Sequence, residues 1–400
     1  MTRRNGVILL GAAACLVVIC CIAVVVGAVI LKRQGSQEPP DAENPSIANQ
    51  PATPVNTGSP IPNIGSGGSV TGSWYQLYFT APVYPDNPAN HKGGLDEHLV
   101  QLMDTAKVRL DVADYDFDLA DVADAMVRAK QRGVTVRMVT DTDTLDNTKN
   151  KPVQAAFDKL KRAGIPIVDD KRGPIMHNKF TVVDHEWVET GSWNYTDGDT
   201  YHLNNNMIII HSQDLAANYS AEFDKMFVKK QFGPTKDKAI PHPVLTIDGT
   251  KVENYFASEG NVADHVAATI NQSKQSIYFM AFSFTSDKIG KAMIARHTAG
   301  VTLEGVFETT GSETKYSEYG KMKKDGIPVY QDGNPWVMHH KVIIIDDHIV
   351  IFGSFNFSDN ADTENDENLL IIDNADIARA FKTEYDRVVA LAKNPPVKKK

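Results

Sequence analysis

Most of this chain is written twice. His177-x-Lys179-x4-Asp184 recurs as His339-x-Lys341-x4-Asp346, and Gly191-Ser192-Trp193-Asn194 recurs as Gly353-Ser354-Phe355-Asn356, each position displaced by 162 residues. Upstream, Gly133-Val134-Thr135-Val136 matches Gly300-Val301-Thr302-Leu303 at an offset of 167, while Gly164-Ile165-Pro166 and Gly326-Ile327-Pro328 return to 162. Lys107 to Phe117 likewise follows Lys274 to Phe284, and Tyr78-Phe79 follows Tyr255-Phe256. The first copy therefore carries five extra residues between Thr140 and Gly164. A register that holds on both sides of one gap requires a duplicated unit, so the chain must fold as two equivalent halves.

Each copy alternates short apolar runs with helical patterns. Val108 to Val112 alternates as a strand does, and Leu119, Val122, Ala123, Met126 and Val127 share one helical face. Val134 to Val139 reads as the next strand and Val153 to Arg162 as the next helix, closed by Gly164. Strand and helix in turn predict an α/β fold, a mixed sheet flanked by helices in each copy. The expected organisation is a short basic N-terminus (1–6), an apolar helix (7–31), a linker (32–73), a first repeat (74–232), a connection rich in proline (233–250), a second repeat (251–395) and a basic tail (396–400).

Val7 to Leu31 is 25 residues without a charge. At 1.5 Å per residue such a helix exceeds the ~30 Å hydrocarbon core of a bilayer. The run is longer than the ~7–15 apolar residues of a secretory leader, and it continues past Ala12-Ala13-Ala14-Cys15, so the expectation is an uncleaved single-pass anchor. The short flank with Arg3 and Arg4 predicts a cytoplasmic N-terminus and an extracytoplasmic body. Residues 34–73 are rich in Pro, Ser, Gly, Asn and Gln, as a flexible stalk is. Arg3, Arg4, Lys32 and Arg33 are the only charges in residues 1–33, so a net charge of −9 leaves −13 for the rest. An acidic body disfavours a broad nucleic-acid face but permits a local basic pocket. All three cysteines (Cys15, Cys20, Cys21) fall in the apolar run, which removes disulfides and thiolate metal sites from the body.

The motif suits a phosphate. The β-rich runs Phe180-Thr181-Val182-Val183 and Val342-Ile343-Ile344-Ile345 follow the lysines, so on a strand His and Lys at i and i+2 share a face. Lysine neutralises non-bridging oxygens, and histidine attacks phosphorus or moves a proton. Asp184 and Asp346 stand an odd number of positions from histidine and are assigned a structural task. Ser192, Asn194, Ser354 and Asn356 offer neutral hydrogen bonds to phosphate oxygens. Glu367 can hold a histidine in one tautomer, whereas its counterpart is Asn205. The remaining histidines show no ligand spacing, and the acidic stretches Asp141-Thr142-Asp143 and 359–367 read as solvated loops rather than calcium sites.

The twin His-Lys-Asp signature with its Gly-Ser-x-Asn codas resembles the phospholipase D superfamily, over roughly residues 74–395. That resemblance implies two repeats about a pseudo-two-fold axis with one site between them. It implies that His177 attacks phosphorus to form a phosphohistidine and that His339 acts as acid and base. Lys179, Lys341, Asn194 and Asn356 would hold the phosphate, with Ser192 and Ser354 assisting, and neither metal nor cofactor would be required. Asn205 departs from the acidic residue expected there. The leading expectation is a membrane-anchored phosphodiesterase acting on phospholipid. A nuclease of the same superfamily is the alternative, with Lys171, Arg172 and Trp336 able to serve either substrate. A phosphatidyl transferase of the cardiolipin synthase kind ranks lower, and a non-catalytic phosphate-binding module ranks last. No obligate protein partner is evident.

Overall fold

The computed structural model describes residues 68–396. The expected anchor 7–31, the linker up to residue 67 and residues 397–400 of the tail lie outside the described residues. Among the described residues no helix is long and apolar enough to cross a membrane.

Two eight-stranded mixed sheets share one topology. In the first, Ile167–Asp169, Thr135–Thr140 and Arg109–Asp114 run parallel, and Lys179–Val183, Trp187–Gly191, Asn206–His211, Tyr75–Phe79 and Val70–Thr71 continue the sheet antiparallel. The second repeats this order as Val329–Gln331, Thr302–Phe307, Ser276–Ala281, Lys341–Ile345, Ile349–Gly353, Glu367–Asp373, Thr250–Ala257 and Val244–Ile247. Two boundaries differ from the sequence reading. Val70–Thr71 pairs with Tyr75–Phe79 although it falls in the expected linker. Val244–Ile247 is an edge strand although it falls in the expected connection, its flanking prolines hiding it because Pro is tolerated only at sheet edges.

Period-two alternation feeds two cores from each central strand. Val342 and Ile344 enter a central layer, while Ile343 and Ile345 enter an outer one. Phe180 and Val182 join the same central layer, and Val183 faces the outer layer of the first repeat. Helices Gln213–Phe227 and Ala375–Lys393 fill the central layer through Leu215, Tyr219, Phe223, Ile377, Phe381 and Tyr385. Burial of each such side chain contributes about 1.5–3 kcal/mol. The two repeats are therefore welded by one core.

Outer helices cover the far faces. Ala120–Gln131 buries Val122, Ala123, Ala125, Met126 and Ala129 on one side. Lys151–Arg162 starts at Asn150, whose side chain accepts from the Val153 amide, and stops before Gly164, which takes φ 68°. Its counterpart Glu318–Lys324 has 7 residues against 12, which is where the five extra residues of the first copy lie.

Asp184 and Asp346 anchor the sheets. Asp184 accepts from the amides of Lys107, Val108 and Arg109 at 2.8, 2.8 and 2.9 Å. Asp346 accepts from Lys274, Gln275 and Ser276 at 2.8, 2.7 and 2.9 Å. Both sit in left-handed backbone (φ 52°), which aspartate tolerates better than most residues. Burial works against the Asp346 carboxylate, yet the three amides outweigh it and hold the group below its ordinary range. Asp184→Ala is expected to destabilise the fold by roughly 2 kcal/mol or more, the cost of stranding charge-assisted donors. Urea unfolding measures this; a change within about 0.5 kcal/mol, as at an ordinary surface site, contradicts it.

Candidate active site

His177 and His339 lie two residues before strands Lys179–Val183 and Lys341–Ile345, in segments held by the opposite repeat. The His177 amide donates to the Asp366 carbonyl at 2.9 Å, and the Asp366 amide donates to Ile175 at 3.0 Å. In the other half, the His339 amide donates to the Asn204 carbonyl at 3.0 Å, and the Asn204 amide donates to Val337 at 3.1 Å. Met176 and Asp366 thus form a parallel bridge, as do Asn204 and Met338. The two bridges are related by the same 162-residue offset as the motifs.

The side chains repeat this crossing. His177 Nδ1 lies 2.7 Å from Glu367 Oε2, and both side chains are fully buried. His339 Nδ1 lies 2.9 Å from Asn205 Oδ1. With Nδ1 engaged in this way, Nε2 is the ring atom placed for chemistry. Ser354 Oγ donates to Glu367 Oε2 at 2.6 Å, and Ser192 Oγ donates to Asn205 Oδ1 at 2.8 Å. The two serines were expected to reach phosphate oxygens; their hydroxyl protons are instead committed to the groups that orient the histidines. Gly191 and Gly353 of the codas are needed for close approach. A Cβ there would stand 2.1 Å from the Asn206 carbonyl oxygen or 2.3 Å from that of Asn368.

Lys179 and Lys341 are buried. Their ammonium groups donate to the carbonyls of His177 and His339 at 3.2 and 2.9 Å. They also lie 5.1 Å from the Tyr115 ring centre and 4.6 Å from that of Phe282. The same rings pack edge-on against His177 and His339, at 5.1 and 4.7 Å. A phosphate entering beside such buried ammonium groups would offset their desolvation.

The two halves differ in charge. Asp199, which the motifs alone did not single out, is buried beside Asn205 and accepts from Asn205 Nδ2 at 3.1 Å. It also accepts from the Asn194 amide at 3.1 Å and from Asn194 Nδ2 at 3.2 Å, and lies 3.4 Å from His339 Nδ1. Its counterpart in the second repeat is Ala361, which offers no carboxylate to Asn356. The carboxylate missing at Asn205 is thus supplied six residues earlier. The compensating exchange Asn205/Glu367 with Asp199/Ala361 is visible once the copies are aligned at 162.

Behind His177, Asp366 accepts from Arg172 at 2.5 Å, from Lys236 at 2.7 Å and from the Gly233 amide at 2.7 Å. Behind His339 the equivalent pair is neutral, Asn334 donating to Asn204 at 2.7 Å. Arg172 is therefore a half-buried brace turned toward Asp366 and not a substrate-facing cation, contrary to expectation. Lys171 is exposed, and Trp336 stacks on His202 at 4.6 Å. The acidic stretches are solvated only in part: Asp143 and Asp359 are exposed, whereas Asp141, Asp366 and Glu367 are buried, and Asp141 accepts from the Met176 amide at 3.1 Å.

Residues 99–227 and 266–389, one stretch in each repeat and together more than half of the chain, match the family described as "Cardiolipin synthase, PLD-like domain". The chain belongs to the phospholipase D superfamily. It is a phospholipase D-like hydrolase. A phospholipase D of Rickettsia bellii is 28% identical over 165 residues, 41% of this chain and 81% of that protein. The mitochondrial cardiolipin hydrolase of Homo sapiens is 33% identical over 116 residues, 29% of this chain and 46% of that protein. In fold, the phosphatidylserine synthase of Haemophilus influenzae superposes with a TM-score of 0.59 at 14% identity, covering 75% of this chain and 85% of that one.

Burial, with the Asp170 carboxylate beside it, pushes Asp141 up to about 7. A folded-state value above the unfolded one of about 3.9 means that its stabilising contribution is complete below pH ~4 and is lost as pH rises toward 7. Asp141→Asn removes the titration and leaves one acceptor for the two amides, of Asp143 and Met176, that the carboxyl group serves. Its thermal midpoint is expected to gain on the parent at pH 8 but not at pH 4; parallel pH profiles contradict this.

Proposed function

We propose that the chain is a phospholipase D-type phosphodiesterase acting on phospholipid through a covalent phosphohistidine. The observation that carries this reading is the crossed support of two buried histidines, a carboxylate on one and an amide on the other. Nε2 of His177 attacks phosphorus, and the bond to the head-group oxygen breaks. His339 gives its proton to that oxygen. Water then attacks the phosphohistidine, His339 takes a proton from it, and the P–N bond breaks to release phosphatidate. Glu367 on Nδ1 favours His177 as nucleophile because a full negative charge stabilises the cation formed on attack. Asn205 fixes the His339 tautomer, and the Asp199 carboxylate stands 3.4 Å from the same ring nitrogen. Lys179, Lys341, Asn194 and Asn356 hold the non-bridging oxygens.

The lipid is favoured over nucleic acid by three features. The rest of the chain carries −13 outside residues 1–33. Trp336, Phe282, Val337 and Leu203 cluster next to His339. The apolar run 7–31 would tether the body near a bilayer, with the body extracytoplasmic. The relatives named phospholipase D and cardiolipin hydrolase support the same choice. An alcohol in place of water would make the same site a transferase.

Full-length protein in detergent is offered vesicles of phosphatidylcholine and cardiolipin beside single-stranded DNA. Head-group release is expected, falling at least about 10³-fold in His177→Asn and His339→Asn. DNA cleavage alone would overturn the lipid reading, and retained turnover in either variant would overturn the mechanism. With a p-nitrophenyl phosphodiester, whose leaving group needs no proton, His339→Asn should accumulate the adduct on His177. Asp199→Asn is expected to slow alkyl phosphodiesters by roughly 10–100-fold and the nitrophenyl ester much less. Equal losses on both substrates would reduce Asp199 to a structural part.

A further inference from the structure

The first repeat carries an insertion that duplication does not explain. Fifteen residues separate Phe79, the end of strand Tyr75–Phe79, from Leu95, the start of helix Leu95–Asp104. The equivalent Phe256 and Val262 are separated by five. The insertion holds Asp86 and His91 and folds against His202, which caps the short helix Asp197–Tyr201. Asp86 Oδ1 lies 2.7 Å from His91 Nε2, and Asp86 Oδ2 lies 3.2 Å from His202 Nε2. All three groups bring a ligand atom within 4.8 Å of the others. Sequence spacing did not link these histidines, 111 residues apart.

We propose that Asp86, His91 and His202 bind a divalent transition-metal ion of the zinc class. Ligand atoms at ~2.0–2.2 Å from a tetrahedral ion stand roughly 3.3–3.6 Å apart; the 3.2 Å separation is close to this, and the 2.7 Å one would open as the ion enters. Two imidazoles and one carboxylate fill three positions and leave the fourth for water. The surroundings hold the rings as ligands are usually held. His91 Nδ1 lies 3.1 Å from Asp197 Oδ1, an outer carboxylate that fixes Nε2 as the coordinating atom. The His91 ring stacks on Tyr201 at 4.0 Å, and the His202 ring stacks on Trp336 at 4.6 Å. The three side chains retain 24, 14 and 25% of their exposure, so an ion can enter.

The ion would act on structure rather than on the bond broken. It would clamp the insertion onto the turn that leads into Asn204 and Asn205, the residues that hold the His339 segment. Asn334 already ties that turn down by donating to the His202 carbonyl at 3.0 Å.

The test uses full-length protein stripped by chelator and titrated with zinc chloride, with bound metal read by elemental analysis and calorimetry. One ion per chain and a higher thermal midpoint are expected. His91→Gln and Asp86→Asn, which keep size and polarity, should abolish binding while retaining the parental circular dichroism spectrum. His177→Asn should bind normally, and Asp197→Asn should bind roughly 10–100-fold more weakly. Failure of the parent to retain zinc, or a stoichiometry unchanged in both ligand variants, overturns the site and leaves a carboxylate beside two histidines.

Discussion

Everything at the candidate site depends on main-chain pairing between the repeats. A buried histidine needs both its backbone and its Nδ1 satisfied, and in each half both partners come from the other repeat. Neither half can build its site alone. The central core enforces this, because Phe180, Val182, Val342 and Ile344 bury into one shared layer and bring the strand starts together. Duplication within one chain makes the encounter intramolecular, so the ordering entropy of assembling the halves is met during folding.

The copies have then diverged in charge while retaining geometry. Glu367 and Asn205 each hold Nδ1 of a histidine through one side-chain oxygen, but only one carries a full charge directly. Asp199 restores a carboxylate to the second half at one remove. Behind these, Arg172, Lys236 and Asp366 form an ionic brace on one side, and Asn334 with Asn204 a neutral one on the other. This difference in surroundings suits the proposed division of labour, in which one histidine forms a bond to phosphorus and the other only exchanges a proton.

Much of this was legible in the sequence, for definite reasons. Period-two strands that are buried on both faces, such as Lys341–Ile345, leave an unmistakable apolar run, and the offset of 162 locates every paired motif. The twin codas also fell at strand ends, immediately after Gly191 and Gly353. What stayed hidden was the crossing. Nothing in the local pattern says that Ser192 serves Asn205 or that Arg172 turns inward to Asp366, because these pairings are set by tertiary packing. Val244–Ile247 was masked by its prolines, and the His91–His202 pair by its separation in the chain.

In the proposed mechanism a carboxylate from the second repeat makes the first repeat's histidine the nucleophile. The most direct measurement is the single-turnover rate of adduct formation on His177 in Glu367→Gln, using a phosphodiester with a nitrophenyl leaving group. The account predicts that the amide keeps the hydrogen bond and the fold but slows attack by roughly 10²-fold or more, leaving hydrolysis of any adduct formed less affected. An unchanged rate of attack, or an adduct found on His339 instead, would contradict it.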